Sequence, residues 1–119
     1  MIRDRFHFVR HAVTGARALE YAYDSLPDAF VLDMLLPDMS GLDLARRLRI
    51  AFRERPAVVA FSVHDRAFEI AAMLHAGCDA FVAKQADGAD ALASVLQELL
   101  ALAPEERAQE RLGLFEQAG

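Results

Sequence analysis

Short apolar runs alternate along this chain with longer segments in which apolar residues recur at helical spacing. The run FHFVRHA (6–12) is rich in aromatic and β-branched residues, which favour β-strands, and the runs AFVLDM (29–34), AVVAFSV (57–63) and AFVAK (80–84) are short and mainly apolar. Between these runs, apolar residues return every three or four positions, which is typical of helices with one face on a core. The pattern therefore predicts four strands separated by helices.

Proline and glycine mark where the predicted helices begin and end. Helices are expected over residues 16–26, 41–52, 66–77 and 89–102. The second helix carries arginines on its polar face that we expect to lie mostly in water: Arg46, Arg47 and Arg49. Short, continuously apolar strands are typical of a parallel sheet covered on both faces, with right-handed βαβ connections. We therefore predict an open, doubly wound α/β sheet.

Composition narrows the class of protein. The chain has 119 residues, enough for one domain, and its net charge of −5 argues against a nucleic-acid surface. A single cysteine, Cys78, excludes an internal disulfide framework and fits a reducing compartment. The chain shows neither an apolar run long enough for a membrane span nor a signal-peptide pattern. We therefore expect a cytoplasmic domain that binds neither nucleic acid nor membrane.

Polar residues stand at the ends of three predicted strands: Asp33, Ser62 and Lys84. In doubly wound sheets, functional sites form at the carboxyl ends of the strands. Asp33 interrupts an apolar run, and because an unpaired buried carboxylate costs several kcal/mol, a partner is expected. Taken singly, each residue also has a plainer interpretation. Asp33 could be only a loop cap, Ser62 a structural hydroxyl and Lys84 a surface lysine.

Three segments in this order resemble the receiver domain of bacterial two-component response regulators. They are LDMLLPDMSG around Asp33, AFSVHD around Ser62 and AGCDAFVAK ending at Lys84. The resemblance covers residues 6–103 and implies a flavodoxin-like or CheY-like sheet. It also implies a signalling domain rather than an enzyme, since no second catalytic constellation is found.

The resemblance assigns roles to individual residues. Asp33 would be the phosphoacceptor, which attacks a phosphohistidine or a small phosphodonor. Lys84 would pair with Asp33 and then with the phosphoryl oxygens, while Ser62 would donate a hydrogen bond to the phosphoryl group. Phe81 matches the aromatic switch position, which reports phosphorylation to a partner. If Mg²⁺ binds, the Asp33 side chain and the Leu35 carbonyl would be ligands.

The chain departs from the family pattern before Asp33. A receiver begins with a strand ending in two adjacent acidic residues, which help to hold Mg²⁺, and a helix follows. Here residue 6 aligns just before the family's second strand, so the first strand and first helix have no counterpart. We therefore expect a sheet truncated to about four strands and Mg²⁺ binding that is weak or lost.

Two functions stay open at this point. The first is a pseudo-receiver, a protein-interaction or dimerisation module with impaired phosphorylation. A homodimer is expected because the truncated sheet would expose apolar surface. The alternative is a working receiver that takes a phosphoryl group on Asp33 from a histidine kinase. In both cases the expected partner is a histidine kinase or another signalling protein.

The resemblance divides the chain into a receiver-like domain over residues 1–103 and a C-terminal extension over residues 104–119. A helix is predicted over residues 104–115, beside the helix at 89–102 and on the sheet face where the family's first helix would lie. Its inward stripe would be Ala108, Leu112 and Phe115. Charged residues would stay largely in water: Glu106, Arg107, Glu110 and Arg111. The alternative is a frayed tail or the start of a linker.

Overall fold

The computed structural model describes residues 13–63 and 66–118, apart from the side chains of residues 114–118. Within these residues, one parallel sheet has the strand order β1 (Ala29–Leu32), β2 (Ala57–Ser62) and β3 (Ala80–Ala83). The structure confirms three of the four predicted strands. The fourth, predicted over residues 6–12, lies outside the described residues.

Helices alternate with the strands as predicted, with small shifts at their ends. They are α1 (Gly15–Asp24), α2 (Gly41–Phe52), α3 (Ala67–Ala76), α4 (Gly88–Leu100) and α5 (Pro104–Ala118). None of the helices within the described residues is both long enough and apolar enough to cross a membrane.

Local sequence explains where three of these helices begin or end. The hydroxyl of Thr14 accepts a hydrogen bond from the N–H of Arg17, which caps α1. The hydroxyl of Ser40 accepts one from the N–H of Asp43, which caps α2. Gly77 ends α3 in the left-handed region with φ of 115°, a conformation that glycine adopts without strain.

Helices lie on both faces of the sheet, as in a doubly wound fold. Residues of α1, α2 and α3 share a buried core with alternate residues of the sheet, Phe30, Leu32, Val58 and Ala60. Helix α4 packs against β2 and β3 on the other face, where Gly88 lies against the Phe61 ring. Val31 is 44% exposed on that face, because α4 lies over the other two strands.

Helix α5 lies at the amino end of the sheet, and its predicted orientation is wrong. Arg107 and Arg111 are only 4% and 9% exposed, whereas Leu112 is 59% exposed. The Arg107 guanidinium donates hydrogen bonds to four backbone carbonyls, those of Glu54, Arg55, Leu99 and Leu102, at 2.9–3.3 Å. Arginine carries a planar fork of donors that can satisfy several such acceptors. Arg107 is therefore buried because it pairs with backbone carbonyls at the ends of other elements. The spacing of apolar residues along α5 did not indicate this orientation.

The second buried arginine of α5 joins a group of charges that we call the amino-end cluster: Arg49, Glu54, Asp79 and Arg111. The Asp79 carboxylate accepts hydrogen bonds from Arg49, from Arg111 and from the N–H of Val58, each at 2.8 Å. Arg111 also donates to Glu54 at 2.6 Å. Arg107 and Arg111 thus attach α5 through charge and backbone polarity.

The prediction that Arg49 lies mostly in water is also wrong. Its side chain reaches from α2 to the loops that precede β2 and β3. There it donates to the carbonyls of Gly77 at 2.8 Å and Pro56 at 2.7 Å, in addition to Asp79. Buried charges require such partners because desolvation is costly.

Burial also changes the chemistry of two groups at this end of the molecule. Burial acts to raise the pKa of Glu54, but the hydrogen bond from Arg111 and the charges of Arg49, Arg111 and Arg107 outweigh it and hold the pKa below its usual value. Cys78 is fully buried next to Asp79, and burial raises the pKa of its thiol to about 12.

Candidate functional site

The carboxyl end of β1 places Asp33 at the start of a tight loop that leads to α2. Within this loop, the N–H of Gly41 donates to the Met34 carbonyl at 2.7 Å, and the N–H of Leu36 donates to the Met39 carbonyl at 3.2 Å. A side chain at Gly41 would collide with the Asp33 carbonyl, so glycine allows the loop to close on itself. The loop thus holds the backbone of Asp33 in a defined position.

Lys84 follows β3 and reaches Asp33 across the sheet. Its Nζ lies 2.7 Å from the Asp33 Oδ2, which confirms that these residues meet at the carboxyl end. The backbone N–H of Lys84 donates to the Ser62 carbonyl at 3.0 Å and so continues the pairing of β2 with β3. The Lys84 ammonium also lies 5.5 Å from the centre of the Phe61 ring, within the range of a cation–π contact.

The Asp33–Lys84 pair is open to solvent. The two side chains are 39% and 38% exposed, respectively. Partial burial acts to raise the pKa of Asp33, but hydrogen bonds from Lys84 and from the N–H of Leu35 outweigh it, and the pKa lies below its usual value. Asp33 is therefore an accessible carboxylate that is ionised at neutral pH.

Ser62 and Phe81 occupy different environments. Ser62 ends β2 and is fully buried, and it pairs in register with Ala83, the residue before Lys84. Phe81 pairs in register with Ala60 and packs, partly buried, against the core formed with α1, α2 and α3. The structure thus brings Asp33 and Lys84 into contact, holds Ser62 on the strand between them and places Phe81 against the core.

Asp38 is a residue of this region whose contacts the sequence did not reveal. Its carboxylate accepts hydrogen bonds from the N–H groups of Gly15 and Ala16 at 2.8 and 3.0 Å. These bonds hold the pKa of Asp38 below its usual value. Asp38 therefore ties the loop that follows Asp33 to the positive end of α1. No local pattern signals a contact between residues so far apart in the chain.

The described residues supply only part of a magnesium site. Mg²⁺ requires a near-octahedral set of oxygen ligands and is usually held through one or two carboxylates together with waters and phosphate oxygens. Asp33 provides one carboxylate, and its Oδ2 already accepts from Lys84. Within residues 13–63 and 66–118, no group of three or more His, Cys, Asp or Glu side chains could hold a metal ion. These residues alone do not fit a complete Mg²⁺ site.

Comparison with known sequences identifies a single family. The model of the response regulator receiver domain matches residues 1–96. "Response regulator MprA" of Mycobacterium leprae is 33% identical over 101 residues, which cover 85% of this chain and 44% of that protein. "Transcriptional regulatory protein KdpE" of Mycobacterium tuberculosis is 41% identical over 73 residues, or 61% of this chain and 31% of that protein. The chain thus spans less than half the length of these curated relatives.

Solved structures agree with this assignment. The receiver domain of NtrX from Brucella abortus has a TM-score of 0.75 and 25% identity, covering 86% of this chain and 85% of that chain. A LuxR-family response regulator from Aurantimonas has a TM-score of 0.71 over 88% of this chain and 76% of its own, and its 24% identity supports the fold alone. The family match and the paired residues at the strand ends agree, and the chain belongs to the response regulator receiver domain family.

Proposed function

We propose that this 119-residue chain acts as a signalling interaction module of a two-component system, in which phosphorylation of Asp33 is inefficient. The observation that carries this proposal is the state of Asp33. It is held by Lys84 at 2.7 Å, and the described residues bring no cluster of further carboxylates to it. Within the described part of the chain, the site has a nucleophile and one cation, but an incomplete set of groups for charge stabilisation.

In this proposal, each site residue keeps the role that the family pattern gives it. The Asp33 carboxylate attacks the phosphorus of the donor, so that a P–O bond forms while the bond to the leaving group breaks. Lys84 moves from the carboxylate to the phosphoryl oxygens, and Ser62 donates its hydroxyl hydrogen to one of them. Phe81 acts as the switch aromatic, which reports phosphorylation to a partner. The pair geometry and the strand-end positions support these roles.

The expected inefficiency follows from how phosphoryl transfer is catalysed. Charge spreads over the phosphoryl oxygens in the transition state, and positioning and electrostatic stabilisation supply most of the acceleration. Mg²⁺, when bound, supplies much of that stabilisation. Lys84 alone offers a single charge that is 38% exposed and therefore screened by water. We expect the chain to form the aspartyl phosphate slowly and incompletely.

The second candidate is a working phosphoacceptor, and the electrostatics of Asp33 favour it. The carboxylate is 39% exposed, so that a donor can reach it, and its lowered pKa keeps it ionised. In this case a histidine kinase supplies the phosphoryl group. The two candidates share the fold and the residues, and they differ in the rate and extent of phosphorylation.

Intact-mass measurement after incubation with acetyl phosphate and Mg²⁺ separates the two candidates. We expect little or no addition of a phosphoryl group, and none in Asp33→Asn. Asp90→Asn, an exposed acid on α4, is the matched control and should behave as the unmodified chain. Rapid and nearly complete addition that is lost in Asp33→Asn but kept in Asp90→Asn would overturn the first candidate and support the second.

The interaction role includes self-association and a division of labour along the chain. Val31 is exposed on the sheet face that α4 leaves open, which supports contact with another protein surface. We propose a histidine kinase or another signalling protein as the partner, together with a homodimer. Residues 1–103 would act as the receiver-like unit, and residues 104–119 as an extension that changes its surface.

A further inference from the structure

The loop of residues 33–41 joins β1 to α2, and these two elements hold its ends. At the α2 end, the hydroxyl of Ser40 accepts a hydrogen bond from the first turn of that helix. Leu35 pairs with Ser40 across the loop, but Leu35, Pro37 and Asp38 are all exposed. The middle of the loop therefore requires a contact with another element to keep one position relative to the sheet.

Asp38 provides such a contact with α1. Its Oδ1 accepts a hydrogen bond from the N–H of Gly15 at 2.8 Å, and its Oδ2 accepts one from the N–H of Ala16 at 3.0 Å. A side chain at Gly15 would collide with Met39, so glycine lets the helix and the loop approach closely. Helix α1 itself shares the buried core with the sheet. One carboxylate thus fastens the loop to a fixed element.

Apolar packing does not replace this contact. Leu36 and Met39 pack, partly buried, against the core. Hydrophobic contact has no preferred direction, so it keeps the loop near the core without fixing the orientation of its backbone. The two hydrogen bonds to Asp38 are charge-assisted and directional, and they fix that orientation.

The orientation of the loop backbone reaches Asp33 directly. Its Oδ2 accepts a hydrogen bond from Lys84 at 2.7 Å, and its Oδ1 accepts one from the N–H of Leu35 at 3.4 Å. Lys84 has a flexible stem, whereas the loop alone places the N–H of Leu35. We propose that Asp38 is a positioning residue, which acts through this loop to hold the Asp33 carboxylate for phosphoryl transfer. The inference rests on the proposed function and adds a residue on which the reactivity of Asp33 depends.

Thr14 offers a matched control, because it caps the same helix without involving the loop. Its hydroxyl accepts a hydrogen bond from the N–H of Arg17 at 3.1 Å, and its carbonyl accepts one from the N–H of Ala18. Asp38→Ala and Thr14→Ala therefore both remove a cap from the first turn of α1. Only Asp38→Ala also releases the loop.

Amide hydrogen exchange measured by NMR tests the inference through the two N–H groups that close the loop, those of Leu36 and Gly41. In Asp38→Ala they should exchange about fivefold faster or more, since loss of a capping side chain has effects of this size. Asp38→Asn keeps one acceptor and should give an intermediate rate, while Thr14→Ala should leave both rates unchanged. Unchanged rates in Asp38→Ala would overturn the inference. Equal acceleration in Thr14→Ala would also overturn it, because the effect would then belong to α1.

The rate of phosphoryl addition to Asp33 is the second measurement, followed by intact mass with acetyl phosphate and Mg²⁺. We expect it to fall about tenfold in Asp38→Ala, because small displacements of a reacting group are costly, and to stay unchanged in Thr14→Ala. An equal rate in Asp38→Ala and the unmodified chain would overturn the inference. Rapid addition in the unmodified chain would instead overturn only the expected inefficiency. If the unmodified chain takes up no phosphoryl group, the exchange comparison alone decides, so the inference and the proposed function fail separately.

Discussion

The two ends of the sheet hold acid–base groups at almost the same distance but in opposite surroundings. At the carboxyl end, Lys84 lies 2.7 Å from Asp33, and both side chains are more than a third exposed. At the amino end, Asp79 is 2.8 Å from both Arg49 and Arg111, and its side chain is 1% exposed. Distance alone would rank these contacts as equals. Exposure separates them, because water screens one pair and is excluded from the other.

This difference in exposure gives the two ends of the sheet different roles. An exposed pair contributes little to stability, and its atoms remain available to a reacting molecule. The buried Asp79 cannot react with molecules in solution, and removing it leaves uncompensated charges inside the protein. The carboxyl end is therefore suited to reacting with a bound molecule. The amino end instead stabilises the fold, because its charges join α2 and α5 to the loops that precede β2 and β3.

Removing one acid from each end should give the largest contrast. We expect Asp79→Ala to lower the free energy of unfolding by about 3–5 kcal/mol, because Arg49 and Arg111 lose their buried partner. Asp33→Ala should change it by less than about 1 kcal/mol. Urea unfolding of both variants measures the two values. Equal effects would show that burial does not distinguish the two ends.

A smaller effect should follow from loosening α5 alone. Arg107→Met keeps a long side chain but removes the donors to four carbonyls, and we expect a loss of about 2–3 kcal/mol. Gln109→Ala, on the exposed side of the same helix, should have almost no effect.

Hydrogen exchange of the α5 amides can follow this loosening residue by residue. Protection should fall along α5 in Arg107→Met and stay unchanged in β2 if α5 opens as a unit. Unchanged protection of α5 would contradict the view that buried arginines attach the helix.

The smallest effect should be a pH dependence at the amino end. The pKa of Glu54 is lowered from its usual 4.5, so its stabilisation is fully present above pH 4.5 and is lost as the pH falls through the folded-state pKa. We expect Glu54→Gln to flatten this acid limb by less than about 1 kcal/mol, since the side chain is partly exposed. Thermal melting between about pH 6 and pH 3 tests this. An acid limb as steep in Glu54→Gln as in the unmodified chain would assign it to other carboxylates.

The same contrast explains what the sequence could predict. Asp33 and Lys84 were predictable because parallel strands end at a common edge, so strand positions alone bring the two together. The three strands and the five described helices were predictable from the spacing of apolar residues and from the prolines and glycines at element ends. These features depend on neighbours in sequence or on a regular sheet.

The amino-end cluster depends on contacts that no period encodes. Helical spacing marks Arg49, Arg107 and Arg111 as polar and therefore outward. Their inward orientation depends on Asp79 and on backbone carbonyls of loops. Gly77 and Asp79 lie about thirty positions from Arg49 along the chain, and Asp79 lies about as far from Arg111. Asp38 is similar, since its contact with Gly15 joins the loop after Asp33 to the start of α1. Charge partners that come from distant loops become visible only when the chain is folded.

The buried thiol of Cys78 provides a direct way to observe the amino end open. A thiol with a pKa of about 12 forms almost no thiolate at neutral pH, and thiolate is the form that reacts with alkylating reagents. Cys78 is the only cysteine in the chain and lies next to Asp79 in sequence. Labelling of the folded protein therefore proceeds only through molecules in which this region has opened. The rate of alkylation therefore reports how often that region opens, and mass spectrometry measures it without an added probe.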